Sequence, residues 1–238
     1  MKVVILAGGF GTRISEETNK IPKPMVKINK IPIICHIIKH YSYYNFKEFI
    51  ILSGYKHSFL KNYFDKNKIL NTRIKVVNTG LNANTGQRIK KIKELINTKE
   101  FLLTYGDGVS NINISNLVKF YYKRKKKIDL LMTIVRPQAR FGKVRIVKNR
   151  VEKFEEKNQI NEGWINGGFF VCNKNIFKYF KNIKNPSFEK DILPKIAKKK
   201  KFYAFKHESF WYCMDTLRDK INLDKIMKKK KFTWKIKY

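Results

Sequence analysis

Five apolar runs of strand length recur in the first 135 residues of this chain. Stretches with helical potential separate the first four runs, and the clearest of them, from Ile33 to Tyr44, places apolar residues at helical spacing. Weaker helical spacing is found from Ser58 to Phe64 and from Arg88 to Ile96. Strands that alternate with helices predict a parallel sheet with helices on both faces and right-handed crossovers. The runs are Val3–Leu6, Phe49–Leu52, Ile74–Val77, Phe101–Thr104 and Leu130–Val135.

The pattern changes after Val135. Residues Phe141–Val147 and Val151–Glu155 alternate apolar with polar side chains, which predicts an antiparallel hairpin with one solvated face. Two more strands are predicted at 167–171 and 202–205, and helices are predicted at 176–180, 191–197 and 216–227. The strands of this second half are expected to join the same sheet. We therefore expect a single α/β domain over residues 1–238, with a doubly wound, mostly parallel, Rossmann-like mixed sheet.

Charge is the most unusual property of the composition. Lysine and arginine total 53 against 18 acidic residues, a formal net charge of +35. Such a charge is typical of proteins that bind nucleic acid or anionic membranes. Compositional drift explains it better, because the basic residues are spread along the chain and the lysine runs are short and flank apolar segments. No nucleic-acid or membrane partner is therefore expected.

Three widely spaced cysteines, Cys35, Cys172 and Cys213, form no C-x-x-C pair. This spacing suggests neither a disulfide framework nor a zinc site and favours a reducing cytoplasm. No apolar run approaches the ~18 residues of a membrane span.

Glycines follow the first predicted strand directly, at Gly8, Gly9 and Gly11. Their backbone can approach phosphate groups closely, and their N–H groups can form an anion-binding nest, although a tight turn is the simpler alternative. Arg13 adds a planar cation suited to phosphate. Downstream, Lys23 lies between two prolines that stiffen its backbone, so a rigidly held phosphate ligand and a surface turn are both compatible with it.

Two aspartates follow apolar or aromatic segments. Asp107 lies between two glycines at the carboxyl end of a predicted strand, the edge at which open α/β sheets bind ligands. Asp215 precedes the last predicted helix, where a helix N-cap is the competing interpretation. Together the two carboxylates suit Mg²⁺. His36 and His40, four residues apart, are instead expected on a helix surface.

Taken together, these motifs resemble the sugar-1-phosphate nucleotidyltransferase family over nearly the whole chain, and most closely its members that use CTP and glucose 1-phosphate. The segments that carry the resemblance are Leu6–Arg13, Ser15–Thr18, Pro22–Val26, Tyr105–Val109, Arg140–Gly142, Trp164–Val171 and Met214–Lys220. The resemblance implies a nucleotide-binding half, 1–135, and a sugar-phosphate-binding half, 136–238. It also implies a homo-oligomer and a resident Mg²⁺ ion.

The resemblance assigns three catalytic residues, Arg13, Lys23 and Asp107, and two metal ligands, Asp107 and Asp215. The residues that it assigns to the nucleotide are Leu6, Ala7, Gly8, Gly9, Gly11, Thr12, Arg13, Lys23, Thr85, Arg88 and Gly106. Those that it assigns to the sugar phosphate are Glu156, Lys157, Asn166 and Gly167. The segment from about 65 to 77 is shorter than in the family members. A thymidylyl- or uridylyltransferase acting on another sugar phosphate, or a catalytically silent nucleotide-binding relative, remains an alternative.

Overall fold

The structure, a computed structural model, describes residues 1–124, 128–137, 143–155 and 163–228. Its strands are β1 Val3–Ala7, β2 Lys27–Ile28, β3 Ile31–Pro32, β4 Glu48–Ser53, β5 Arg73–Asn78, β6 Glu100–Tyr105, β7 Gly108–Ser110, β8 Leu130–Val135, β9 Lys143–Val147, β10 Arg150–Glu155, β11 Ile165–Asn173, β12 Phe202–His207 and β13 Trp211–Cys213. Its α-helices are α1 Ser15–Thr18, α2 Ile33–Tyr43, α3 His57–Lys66, α4 Thr85–Lys91, α5 Ile114–Tyr122, α6 Leu193–Lys198 and α7 Leu217–Lys228. Short 3₁₀ helices lie at Thr12–Ile14, Lys23–Met25, Lys93–Leu95 and Lys174–Phe180, and a π-helical turn lies at Phe188–Ile192.

A seven-stranded sheet forms the centre of the molecule, in the order β12-β8-β11-β6-β1-β4-β5. The neighbours β6, β1, β4 and β5 are parallel, and β12 is parallel to β8. Strand β11 is antiparallel to both β6 and β8, so it alone runs against the other six strands of this sheet. The predicted mostly parallel mixed sheet is therefore confirmed.

Both faces of the sheet are covered, as the continuous apolar runs predict for parallel strands. All five residues of β1 are buried. Val3, Ile5 and Ala7 pack into a core cluster with the apolar faces of α2, α5 and α7. Val4 and Leu6 point to the opposite face and pack into a second cluster, with α4 and α6.

The predicted hairpin is confirmed as β9 and β10, which pair antiparallel across a turn at 148–149. The expectation that the strands after Val135 join the central sheet holds for β11 and β12 and is wrong for this hairpin. The pair β9–β10 forms a sheet of its own, and β13 pairs with β7. Each of these short strands pairs with one neighbouring strand, whereas β11 and β12 extend the central sheet.

The histidines of α2 are buried, so the expectation of a helix surface is wrong. His36 is fully buried and His40 is 5% exposed, because α2 packs between the sheet and neighbouring loops. Each ring donates from Nε2 to a backbone carbonyl, of Ile28 at 3.0 Å and of Ile112 at 2.9 Å. Among the described helices, none has the length and apolar character needed to cross a bilayer.

Candidate active site

The carboxyl ends of two adjacent parallel strands place the sequence-predicted loops side by side. Strand β1 pairs with β6 in parallel register, with Leu6 opposite Tyr105. The glycine-rich loop follows β1 and Asp107 follows β6, so both leave the sheet at the same edge. Ligands bind at this edge in open α/β sheets.

The glycine-rich loop needs glycine at Gly11, which has φ of 71° and begins the 3₁₀ turn that carries Arg13. Its carbonyl accepts from Ile14 N at 3.0 Å and from Thr18 Oγ1 at 3.0 Å. At Gly8 the constraint is space, because a Cβ there would lie 2.3 Å from Nη1 of Arg88. The loop is therefore held in one shape by contacts with its surroundings.

Arg88, on α4, is the main support of that loop. Its guanidinium donates to the carbonyl of Gly8 at 2.8 Å, to Thr79 Oγ1 at 2.7 Å and to the carbonyl of Gly80 at 2.8 Å. The side chain is only 4% exposed, and burial lowers its pKa. Arg88 thus joins the end of β1 to the loop after β5.

Lys23 is the centre of the site. Pro22 precedes the 3₁₀ turn that carries it, and the carbonyl of Pro22 accepts from Met25 N at 2.8 Å. Nζ of Lys23 donates to Oδ2 of Asp107 at 2.6 Å and to Oδ1 of Asp215 at 2.8 Å. Burial alone lowers the pKa of this ammonium, but the charges and hydrogen bonds of Asp107 and Asp215 raise it overall.

Arg13 completes a group of two cations and two carboxylates. Its Nη1 donates to Oδ2 of Asp215 at 2.8 Å. Arg13 is 69% exposed at the side chain, whereas Lys23 is 11% exposed. Lys23 is therefore enclosed beside the two carboxylates, and Arg13 lies at the exposed rim of the site.

Thr216, rather than Asp215, carries the cap of α7, so the N-cap interpretation of Asp215 is not supported, and its role as a metal ligand stays a prediction. Thr216 and Asp219 form a reciprocal cap instead: Oδ2 of Asp219 accepts from Thr216 N at 2.9 Å, and Oγ1 of Thr216 accepts from Asp219 N at 3.2 Å. The side chain of Asp215 is consequently directed at Lys23 and Arg13.

The donor set fits a divalent cation. One ligand atom each from Asp107, Asp215 and Cys213 lies within 4.8 Å of the others. Carboxylate oxygens are the ligands that Mg²⁺ prefers, with water and phosphate completing its octahedron. Burial raises the pKa of the Cys213 thiol, and the two carboxylates raise it further. A thiol is a softer ligand than Mg²⁺ prefers, so the two carboxylates are the better candidates for its ligands.

Two cavities meet at this group. The smaller, of about 560 Å³, is lined by all eleven residues that the family resemblance assigned to the nucleotide. The larger, of about 780 Å³, is lined by Asn166 and Gly167, which the resemblance assigned to the sugar phosphate, and by Asp215. Arg13, Tyr105 and Asp107 line both. The predicted Glu156 and Lys157 lie outside the described residues.

A hydrogen-bonded chain that the sequence did not reveal connects the two cavities. Glu189 accepts from Thr85 Oγ1 at 2.5 Å and from the Tyr105 hydroxyl at 2.6 Å. The same hydroxyl accepts from Nδ2 of Asn166 at 3.0 Å. Burial raises the pKa of Tyr105, and the neighbouring Glu189 raises it further, so its proton stays in place. Glu189 lies on the π-helical turn, a distortion frequent at functional sites and without a sequence signature.

The chain matches a known protein family and several of its members. Residues 2–226 match the model of the nucleotidyl transferase family. A glucose-1-phosphate cytidylyltransferase of Salmonella typhi is 39% identical, over 99% of this chain and 99% of that protein. A D-glycero-alpha-D-manno-heptose 1-phosphate guanylyltransferase of Campylobacter jejuni is 33% identical, over 79% of this chain and 83% of that protein.

Among solved structures, HddC from Yersinia pseudotuberculosis complexed with GMP-PN superposes with a TM-score of 0.75 at 25% identity, covering 95% of this chain and 99% of that one. The chain therefore belongs to the nucleotidyl transferase family, and the resemblance inferred from its motifs is confirmed. The alignment to the Salmonella protein spans 257 positions, more than the 238 residues here, so that relative carries additional residues.

Proposed function

We propose that this protein transfers the cytidylyl group of CTP to glucose 1-phosphate and releases pyrophosphate. Full-length identity of 39% to a protein with that printed activity supports the choice of substrates. The observation that carries the reaction type is the convergence of Lys23, Asp107 and Asp215 where the two cavities meet.

The reaction needs two polyanions to approach each other and no protein nucleophile. A phosphate oxygen of the sugar phosphate attacks the α-phosphorus of the triphosphate in line, and pyrophosphate leaves from the opposite side. Like unit charges ~4 Å apart repel by ~4 kcal/mol at an effective dielectric of ~20. Catalysis here consists of positioning and charge compensation.

Each assigned residue has a part in that task. Backbone N–H groups of the glycine-rich loop would hold the triphosphate in the smaller cavity. Arg13 and Lys23 would offset phosphate charge where the cavities meet, and Asn166 would bind the sugar phosphate in the larger cavity. A Mg²⁺ ion held by Asp107 and Asp215 would supply further charge neutralisation and orient the phosphates.

The test is pyrophosphate release by the full chain with Mg²⁺, pairing CTP, UTP, TTP, ATP and GTP with a panel of sugar 1-phosphates. We expect turnover selective for CTP and glucose 1-phosphate. Selectivity for UTP or TTP, or for another sugar, would reject the substrates and keep the reaction. Absence of turnover with every pair, in a folded protein that still binds nucleotide, would favour a catalytically silent relative.

A further inference from the structure

Lys23 lies where the proposed function places the divalent cation. Its single Nζ is within hydrogen-bond distance of both carboxylates, 2.6 Å from Asp107 and 2.8 Å from Asp215. A Mg²⁺ ion held by the same two carboxylates would compete with Nζ for their oxygens. The ammonium and the ion also repel each other, so both cannot hold this position.

Because of these contacts, the charged groups of Lys23 and Arg13 are already paired and are not available to phosphate. Lys23 and Arg13 both donate to carboxylates, and the formal charges of these two cations and of Asp107 and Asp215 cancel. Both basic side chains also line the smaller cavity beside the glycine-rich loop. A divalent cation on the aspartates would replace the ammonium as their counter-ion and leave Lys23 adjacent to the triphosphate.

We infer that Lys23 is an internal counter-ion that the divalent cation displaces, so that cation binding releases Lys23 to the nucleotide; this inference rests on the proposed function. Two consequences follow from competition for one position. Without nucleotide, Lys23 weakens cation binding. With nucleotide, the cation and the triphosphate increase each other's affinity beyond what their direct contact gives, because binding linkage is reciprocal.

The decisive experiment measures binding of Mn²⁺ alone to the full chain, by calorimetry or electron paramagnetic resonance, without nucleotide. Lys23→Met keeps an unbranched stem and removes the ammonium. Mn²⁺ should bind this variant about tenfold more tightly or better, the size of one charge-assisted hydrogen bond. Lys20→Met, at an exposed lysine of the same segment, should match the unaltered protein. Unchanged or weaker Mn²⁺ binding by Lys23→Met would overturn the inference.

A second measurement uses the unaltered protein and does not depend on the folding of a variant. Amine acylation of each lysine is followed by mass spectrometry with and without Mg²⁺. We expect Mg²⁺ to increase the labelling of Lys23 relative to Lys20, because the ammonium leaves its two acceptors. Equal or reduced labelling of Lys23 would contradict displacement.

Asp107→Asn separates failure of the inference from failure of the proposed function. This variant should lose Mn²⁺ binding. If it does, and the unaltered protein releases pyrophosphate, but Lys23→Met binds Mn²⁺ no more tightly, only the inference is wrong. If Asp107→Asn binds Mn²⁺ as the unaltered protein does, the metal position and the inference are wrong together.

Discussion

At the scale of single residues, Asp107 has the most direct link to the reaction. It accepts from Lys23, lines both cavities and belongs to the proposed metal ligands. Asp107→Asn keeps the shape and removes the charge, so we expect turnover at saturating Mg²⁺ to fall by at least ~10²–10³-fold, the effect of one charge-stabilising group. Steady-state pyrophosphate release measures this loss.

Two controls accompany that variant. Its thermal unfolding should stay close to that of the unaltered protein, which separates loss of chemistry from loss of fold. Asp65→Asn removes an exposed carboxylate on α3 that pairs with Lys61, and should retain full turnover. Normal turnover of Asp107→Asn would reject the assigned site.

His40 makes stability depend on pH. Burial lowers its pKa from 6.5 to about 4, although the carbonyl of Ile112 favours the protonated ring. As the pH falls, the unfolded chain therefore takes up this proton at a higher pH than the folded chain does. The contribution of the neutral, buried His40 ring to the free energy of unfolding is complete above pH ~6.5 and is lost as the pH falls toward 4. Between pH 7 and 4.5 we expect a loss on the order of 2 kcal/mol that is absent from His40→Gln, whose amide can still donate to Ile112.

Urea unfolding of both proteins at the two pH values gives that difference directly. Other groups that titrate in this range contribute equally to the two proteins and cancel. A parallel loss of unfolding free energy in His40→Gln would mean that His40 does not contribute.

At the scale of elements, the start of α7 determines where Asp215 points. Thr216→Ala removes the hydroxyl that accepts from Asp219 N and donates to its carboxylate. We expect a loss of about 1 kcal/mol in the free energy of unfolding, the usual cost of an N-cap. Thr216→Ser keeps the hydroxyl and should restore most of it in urea unfolding. Equal stability of the Ala and Ser variants would contradict the capping role.

Helix α4 supports the glycine-rich loop through Arg88. Arg88→Met would remove the guanidinium donor from the carbonyl of Gly80 and from Thr79 Oγ1, whereas the carbonyl of Gly8 would still accept from Tyr55 N at 3.2 Å. Because a buried acceptor left unpaired costs about 1–3 kcal/mol, we expect ~2 kcal/mol of destabilisation by urea unfolding. If Arg88→Met is as stable as the unaltered protein but fails to bind nucleotide, the guanidinium contacts the nucleotide instead of supporting the loop.

Elements set by local pattern were predictable from the sequence. The central strands appear as continuous apolar runs, and the parallel alternation then brings Gly8–Thr12 and Asp107 to one edge of the sheet. Glu189 and the supporting role of Arg88 were not predictable, because they depend on contacts between residues 104 and 80 positions apart. No local signal distinguishes such a residue from any other polar residue on a helix.

At the scale of the whole molecule, the charge of +35 remains separate from the site, where cations and carboxylates balance. If this charge arose by compositional drift, the basic residues form no concentrated surface that binds nucleic acid. Duplex DNA should then show only weak binding that falls steeply with salt, and negligible binding near physiological ionic strength. A fluorescence anisotropy titration at several salt concentrations measures this. Tight binding that persists at physiological salt would support a nucleic-acid function.

The same charge should make the fold more stable as salt is added. Like charges in excess destabilise a compact state, and salt screens them over ~10 Å at ~0.1 M. Screening also weakens exposed ion pairs such as Lys61–Asp65 and Arg73–Glu48, but such pairs contribute only about 0–1 kcal/mol each. Repulsion among the excess cations is the larger effect, so the midpoint of thermal unfolding at pH 7 should rise from ~0.02 to ~0.3 M NaCl. Near pH 10, close to the isoelectric point of about 10.1, the rise should disappear. A midpoint that falls with salt at pH 7 would mean that specific ion pairs outweigh the net charge.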